Sequence, residues 1–220
     1  MATTYTVGDK TKSNIINESR KLFYKKGYNE TTYTDISKAA DVNRALIPYH
    51  FKNKELLGAT IYDLIVEDTT NKADSLLDTA ELSSDLSGAF HVVVFFRMFE
   101  NEHFANFISE VYDACKNGLY DIDIEKKLIL NFDSKFGKLN DKTISLLSQS
   151  MAAIRLNLIR NLKSDDYTAD DLAKHYINML LHYIGYSEKK INELTDAAIS
   201  LADLIDINVS TGFSVKVSYR

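Results

Sequence analysis

A single proline in 220 residues, Pro48, does more than any other feature to restrict how this chain can fold. Proline removes a backbone donor and crowds the preceding helical turn, so its scarcity leaves long stretches free to run as helix. Glycine is sparse too, at eight residues. Between these breakers apolar residues recur three and four apart, and two-residue alternation is rare. The spacing predicts helices over 12–26, 34–40, 43–49 and 53–78, then near 85–100, 102–117, 122–136, 141–163, 168–185 and 188–206. Breaks are expected at Ser83-Ser84, Asn117-Gly118, Gly137, Ser164-Asp165-Asp166 and Tyr186-Ser187. Val209, Phe213, Val215 and Val217 give the end of the chain an alternating pattern, either a short strand or a loose end. The fold class is therefore all-α, with a short head (1–58), a larger helical body (59–208) and a tail (209–220).

Several functional classes are disfavoured at once. The longest apolar run, Val92 to Phe96, is cut by Arg97 and is too short to span a bilayer. The opening residues MATTYTVGDK lack a basic segment followed by an apolar one, so no secretion signal is expected. Cys115 is the only cysteine, which fits a reducing cytoplasm. There is no Gly-rich phosphate loop, no Cys-x-x-Cys pair and no His-x-x-x-His spacing, and the five histidines are scattered. We expect no enzyme, no catalytic residues, no metal and no cofactor. His175 and His182, seven apart on one helix, read as core or dimer contacts rather than ligands.

Charge is unevenly distributed. The whole chain carries −5, yet residues 1–58 hold ten Lys/Arg against six Asp/Glu, leaving sixteen against twenty-five beyond. A basic end on an acidic body is the asymmetry expected when one end meets a polyanion. Within that end, Thr31 to Leu57 reads TTYTDISKAADVNRALIPYHFKNKELL. Two short helices separated by Asp41-Val42 have the dimensions of a helix-turn-helix. Thr34 is read as the cap of the first, with Ile36, Ala39 and Ala40 facing inward, and Asn43 as the cap of the second. Aspartate is one of the few non-glycine residues that tolerates the left-handed backbone such a turn needs. The second helix of such a motif enters the major groove with its N-terminal residues leading. Arg44 is then placed for a bidentate contact to guanine, with Asn43 capping the helix or bonding a phosphate. Tyr49, His50 and Lys54 follow where phosphates would pass, and Ala45, Leu46 and Ile47 give the reading face an apolar cast. Pro48 cannot donate to the Arg44 carbonyl, which predicts a short or kinked helix.

This segment resembles the DNA-binding head of the TetR family of bacterial regulators. The resemblance covers about residues 12 to 57: LFYKKGY ending the first helix, the Thr31-Thr32 pair, Thr34, Ile36 and Ala40 with a one-residue difference in spacing, and YHFKNKELL from Tyr49 to Leu57. Asp41 stands where the family usually has a turn glycine and Pro48 where it often has tyrosine. What the resemblance implies is a cytoplasmic homodimer binding a palindromic double-stranded DNA operator, acting as a repressor released by a small-molecule effector, with an activator as the variant. Its DNA-contacting residues would be Thr34, Asn43, Arg44, Ala45, Leu46, Tyr49, His50 and Lys54. It also implies pairing through the last two long helices, where Tyr176, Leu180, Ile184, Leu194, Ala198 and Leu201 lie on apolar stripes. A small-molecule effector is expected in the body, near Phe95, Phe96, Phe99, His103, Phe107, Tyr112 and Arg155, with Arg97 and Glu100 as further polar groups. The alternative is an all-α ligand-binding or interaction protein that has lost sequence-specific DNA binding, a reading that Pro48 keeps open.

Overall fold

In the computed structural model, the described residues are 7–115, 126, 129–130, 132, 139–162 and 166–220. The head comprises α1 (Val7–Lys26), α2 (Tyr33–Ala39) and α3 (Leu46–Phe51). Helix α4 (Lys54–Leu77) runs without interruption across residue 58 into the body, so head and body share one helix. A 3-10 turn (Thr79–Glu81) leads to α5 (Ser84–Met98), followed by α6 (Glu102–Ala114), α7 (Asp141–Asn161), α8 (Ala169–Tyr183) and α9 (Glu188–Ala202). The expected helix near 122–136 and the breaks at 117–118 and 137 lie outside the described residues, apart from positions 126, 129, 130 and 132.

Helix starts follow local chemistry. Asn53, Ser83, Asn101, Asn140, Thr168 and Ser187 each offer a side-chain oxygen to an otherwise unpaired first-turn N–H. Ser83 and Ser187 are therefore caps rather than simple interruptions. Among the described helices, α5 stands out because it buries Gly88, Ala89, Phe90, Val92 to Phe96 and Met98 with little regard for face. A helix apolar all round has to lie at the centre. Helices α8 and α9 cover it with Tyr176, Ile177, Leu180, Leu194 and Ala198, all buried, and α4 lies against it as well.

The tail departs from the expected helix over 188–206, which ends at Ala202. Ile205–Ser210 (β1) and Ser214–Tyr219 (β2) form an antiparallel hairpin paired from Ile205 with Tyr219 to Ser210 with Ser214. Val209, Phe213 and Val215, three of the four alternating positions seen in the sequence, are buried, Val217 is half-buried, and Ile205 faces inward with them. A lone hairpin is marginal in water, so its order depends on what it is docked against. Its tip, Thr211–Phe213, packs on α1, while β2 lies along α4. Among the described residues no helix is long and apolar enough to cross a membrane.

Gly58 marks where three parts of the fold come together. A Cβ there would sit 3.0 Å from both Tyr28 Cε2, in the head, and Val111 Cγ2, on α6. Gly58→Val is predicted to destabilise the protein by about 1–3 kcal/mol through overpacking. Denaturant unfolding would measure this, and an unchanged midpoint would show that the junction is looser than described.

Candidate nucleic-acid interface

The head is built on α1, which buries Ile15, Ser19 and Phe23 along one face. Gly27 closes α1 in the left-handed region at φ 86°, its N–H donating to the Phe23 carbonyl. Thr31, fully buried, donates its hydroxyl to the Gly27 carbonyl. The cap of α2 is Thr32, not Thr34. Thr32 Oγ1 accepts from the Asp35 N–H while the Asp35 carboxylate accepts from the Thr32 N–H at 2.8 Å, a reciprocal capping box. Thr34 is one residue inside the helix and exposed, and Ala39, expected inside, is exposed as well; Ile36 and Ala40 are buried.

Asp41 takes the left-handed conformation expected of it, at φ 50°. The Val42 N–H bonds the Ser37 carbonyl at 3.0 Å and the Asp41 N–H bonds that of Lys38 at 3.4 Å, the double closure of a Schellman turn. Asn14 of α1 donates to the Ala40 carbonyl at 2.7 Å and fixes the same turn from the other side. Asn43 Oδ1 then accepts from the Ala45 N–H at 2.9 Å. The Leu46 and Ile47 N–H groups reach back only three residues, to Asn43 and Arg44, so the chain enters α3 through a tight turn. Pro48 consequently falls in the first turn of α3, where a missing N–H leaves nothing unpaired. The helix is short, as expected, and the proline is accommodated.

Side chains of α3 divide by face. Ile47 and Phe51 are buried and anchor the helix, so Ile47 does not belong to an outward surface as the sequence had indicated. Asn43, Arg44 and Ala45 are exposed, Leu46 and His50 half-buried, and Tyr49 is 78% exposed. Arg44 lies over the Tyr33 ring at 6.0 Å, a partner that sequence reading missed because Tyr33 resembles any helix-entry aromatic. Lys54, half-buried at the start of α4, sits 4.3 Å over the Tyr28 ring and donates to the Asn29 carbonyl at 3.3 Å. Burial lowers its ammonium pKa, opposed by Glu55, Glu110 and Glu30. On the body side, Glu110 of α6 accepts from the Asn29 N–H at 3.0 Å.

The residues read as an effector site separate into three places. Phe95, Phe96 and Phe99 are core, and Phe95 carries the Arg155 guanidinium at 4.6 Å over its ring. Arg155 is fully buried and donates to the Tyr62 hydroxyl at 3.4 Å, with Tyr112 beside that ring at 6.2 Å. Phe107 lies at the head–body seam against Phe23 and Phe213, and His103 is exposed, stacked on Tyr24 at 4.3 Å. Both pack against α1, through Phe23 and Tyr24. Arg97 is bound to Asp170 and Asp203, and Glu100 is exposed. Of the residues read as a dimer surface, Tyr176, Leu180, Leu194 and Ala198 are buried in the subunit's own core, because they face α5. Ile184 and Leu201 are only half-buried. Burial, with Glu55 adding to it, pushes the Cys115 thiol up to about 11, so it stays protonated at neutral pH.

A helix-turn-helix on a helical body is the class this geometry defines. The profile of the bacterial regulatory proteins of the tetR family matches residues 15–59. The biofilm operon negative transcriptional regulator IcaR of Staphylococcus epidermidis is 42% identical over 60 residues, 27% of this chain and 30% of that protein. The transcriptional regulator TtgR of Pseudomonas putida is 39% identical over 57 residues, 26% of this chain and 27% of that protein. These matches thus span less than a third of either relative. Across the body the likeness is one of fold. RolR, in complex with resorcinol, superimposes with a TM-score of 0.60 at 15% identity, covering 86% of this chain and 94% of RolR. A TetR-family regulator from Streptomyces coelicolor gives 0.52 at 14% identity, covering 84% of this chain and all of that one. The head, residues 15–59, is thus similar in sequence to the bacterial regulatory proteins of the tetR family, and beyond it the chain shares the fold of these solved structures.

Two predictions concern the head. At Asp41, glycine should leave stability unchanged or higher, whereas valine should lower it by about 1–3 kcal/mol, since only the latter is strained at positive φ. Thermal unfolding of the two variants tests this; equal stability would mean the turn is not left-handed. Asp35 concerns pH. The Lys26 ion pair at 2.9 Å and the Thr32 hydrogen bonds hold its carboxyl well below the usual carboxylate range. A depressed folded pKa contributes stability that is present above the unfolded value of about 3.9 and lost as pH falls toward the folded one. Asp35→Asn should therefore flatten the acid limb of unfolding below about pH 4, followed by circular dichroism. An acid limb identical to wild type would exclude the pair as its source.

Proposed function

We propose that the protein is a homodimeric transcriptional repressor that binds a palindromic operator and is released by a small-molecule effector. One observation carries the reading: Ile47 and Phe51 anchor α3 while Asn43, Arg44, Ala45 and Tyr49 are presented outward from its leading end. That is the arrangement a recognition helix requires to reach base edges. In this reading Arg44 contacts a base, Ala45 and Leu46 touch thymine methyls, and Thr34, Asn43, Tyr49, His50 and Lys54 contact the backbone. The head is residues 1–58, and residues 59–208 with the tail hold effector and partner. The accommodation of Pro48 in the first turn favours a working reader over a carrier that has lost DNA binding. Two heads are needed for specificity, and the outer face of α8 offers Met179 and Tyr183, 41% and 63% exposed, next to Ile184, with Leu201 on α9. For the effector, the Phe95–Arg155–Tyr62 cluster favours a small aromatic molecule with an acidic or phenolic group over a cation. The resorcinol complex of RolR accords with this.

Selection of bound duplexes from a random library, sequenced at two salt concentrations, tests the reading. A palindrome of fixed half-site spacing is expected. Its affinity should fall by about a thousandfold or more between roughly 50 and 200 mM salt, as phosphate contacts dictate. Arg44→Ala should cost about 1–3 kcal/mol and relax one position in each half-site. If no sequence is enriched even at low salt, the head is not a sequence reader and the proposal fails.

A further inference from the structure

The C-terminal hairpin touches every part of the molecule that a regulator of this kind would need to connect. Its base is tied to the body by charge. Arg97, at the end of α5, makes a bidentate pair with Asp170 of α8 at 2.8 and 2.9 Å and a third bond to Asp203, just beyond α9, at 2.7 Å. Arg220 extends this cluster, bonding Asp206 at 2.7 Å through Nε and donating its N–H to the Leu204 carbonyl at 3.0 Å. Along its length the hairpin is held through main-chain carbonyls. Asn101, the cap of α6, donates to Val209 at 2.9 Å, and Lys72 of α4 to Val215 at 2.8 Å; the Tyr219 hydroxyl in turn reaches the Leu76 carbonyl.

The tip belongs to the head. Arg20 of α1 donates from Nε to the Gly212 carbonyl at 3.2 Å and from Nη2 to that of Phe213. Phe213 is fully buried, its ring 4.8 Å from Phe107, 5.3 Å from Tyr24 and 6.4 Å from Phe104. It is held at φ 54°, in the left-handed region that bulky residues avoid. Backbone strain of that kind persists only where the surroundings over-determine it. A hairpin too small to be stable alone is thus fixed by side chains of α1, α4 and the α6 cap, and by ion pairs to the helices around α5.

We propose that this hairpin is a strap which sets the angle of the head on the body. Displacements of α8 and α9 reach α1 through the Arg97–Asp203–Arg220 cluster and the Phe213 plug. Its regulatory use rests on the DNA-binding reading above, but its mechanical role does not. The strap acts because the tip has two arrangements available to it, docked on α1 or released, and Arg20 favours the first.

Amide hydrogen exchange on the full-length protein separates these claims. Arg20→Ala removes two part-buried bonds to main-chain carbonyls of the tip and should leave the body folded. Phe213→Ala removes the plug itself. Arg160→Ala, which breaks the Arg160–Asp113 pair between α7 and α6, is the control. Both strap variants should accelerate exchange across α1 to α3 by about tenfold or more while α5, α8 and α9 keep their protection. Because loss of a buried ring can unfold the chain, Arg20→Ala carries the decision. Head exchange within about twofold of wild type, or a rise matched by the Arg160→Ala control, overturns the strap. Affinity for the selected duplex is the second readout. Faster head exchange with weakened binding supports the regulatory role, and faster exchange with unchanged binding removes it. A wild-type protein that selects no duplex would sink the DNA-binding reading alone, leaving exchange to judge the strap.

Discussion

Burial of α5 on most of its surface is the constraint around which the body is arranged. A helix carrying Phe90, Val92 to Phe96 and Met98 has no side it can show to water, so α4, α8 and α9 have to enclose it. Arg97, near the end of this stretch, is mostly buried, and its guanidinium is held by two carboxylates from α8 and the end of α9. Burial lowers the guanidinium's pKa; the hydrogen bonds it donates to Asp170 and Asp203 outweigh that effect and raise it. Four of the residues of α8 and α9 that look like a dimer surface in the sequence, Tyr176, Leu180, Leu194 and Ala198, are turned inward by the same demand. The outer faces of these helices are left with a sparser set of apolar groups, Met179 and Tyr183 among them.

The head was more legible than the body because its signals are local. Gly27, the Thr31-Thr32 pair, Asp41 and Asn43 act within a few residues of themselves, through backbone conformation or first-turn hydrogen bonds, and spacing alone reveals them. The two-residue error at Thr34 arose because either threonine can cap; only the reciprocal Asp35 partner selects Thr32. In the body, apolar spacing located the helices but left their orientation open. Phe95 and Phe107 look equivalent in the sequence, yet one stacks with Arg155 and the other fills the seam behind α1. That difference is decided by contacts among residues far apart in the chain. The tail was the least legible part. Its alternation was visible, but the docking that makes a two-stranded hairpin stable comes from Arg20, Lys72 and Asn101, none of which announces such a role.

Pro48 shows how one residue can be read two ways. In the interior of a longer helix it would break a hydrogen bond and push against the Arg44 carbonyl. The tight entry from Asn43 shifts the start of α3 so that the proline occupies a position with no bond to lose. The adjustment shortens the helix to six residues and leaves Tyr49 standing out into solvent. Under the proposed DNA-binding function, a surface of that length relies on few contacts, so the angle at which it is presented matters more.

Helix α4 bears on that angle because it crosses from head to body unbroken. Twenty-four residues at about 1.5 Å each make a rod of about 36 Å. Pivoted at its far end, a rod of that length turned by about 5° carries its near end through about 3 Å. Successive base pairs are stacked at about the same interval, 3.4 Å. A rotation small enough to leave the body's packing intact would therefore move α3 by one rung of a duplex ladder; if the proposed dimer binds DNA, two heads moving in opposite senses would fall out of step with their half-sites.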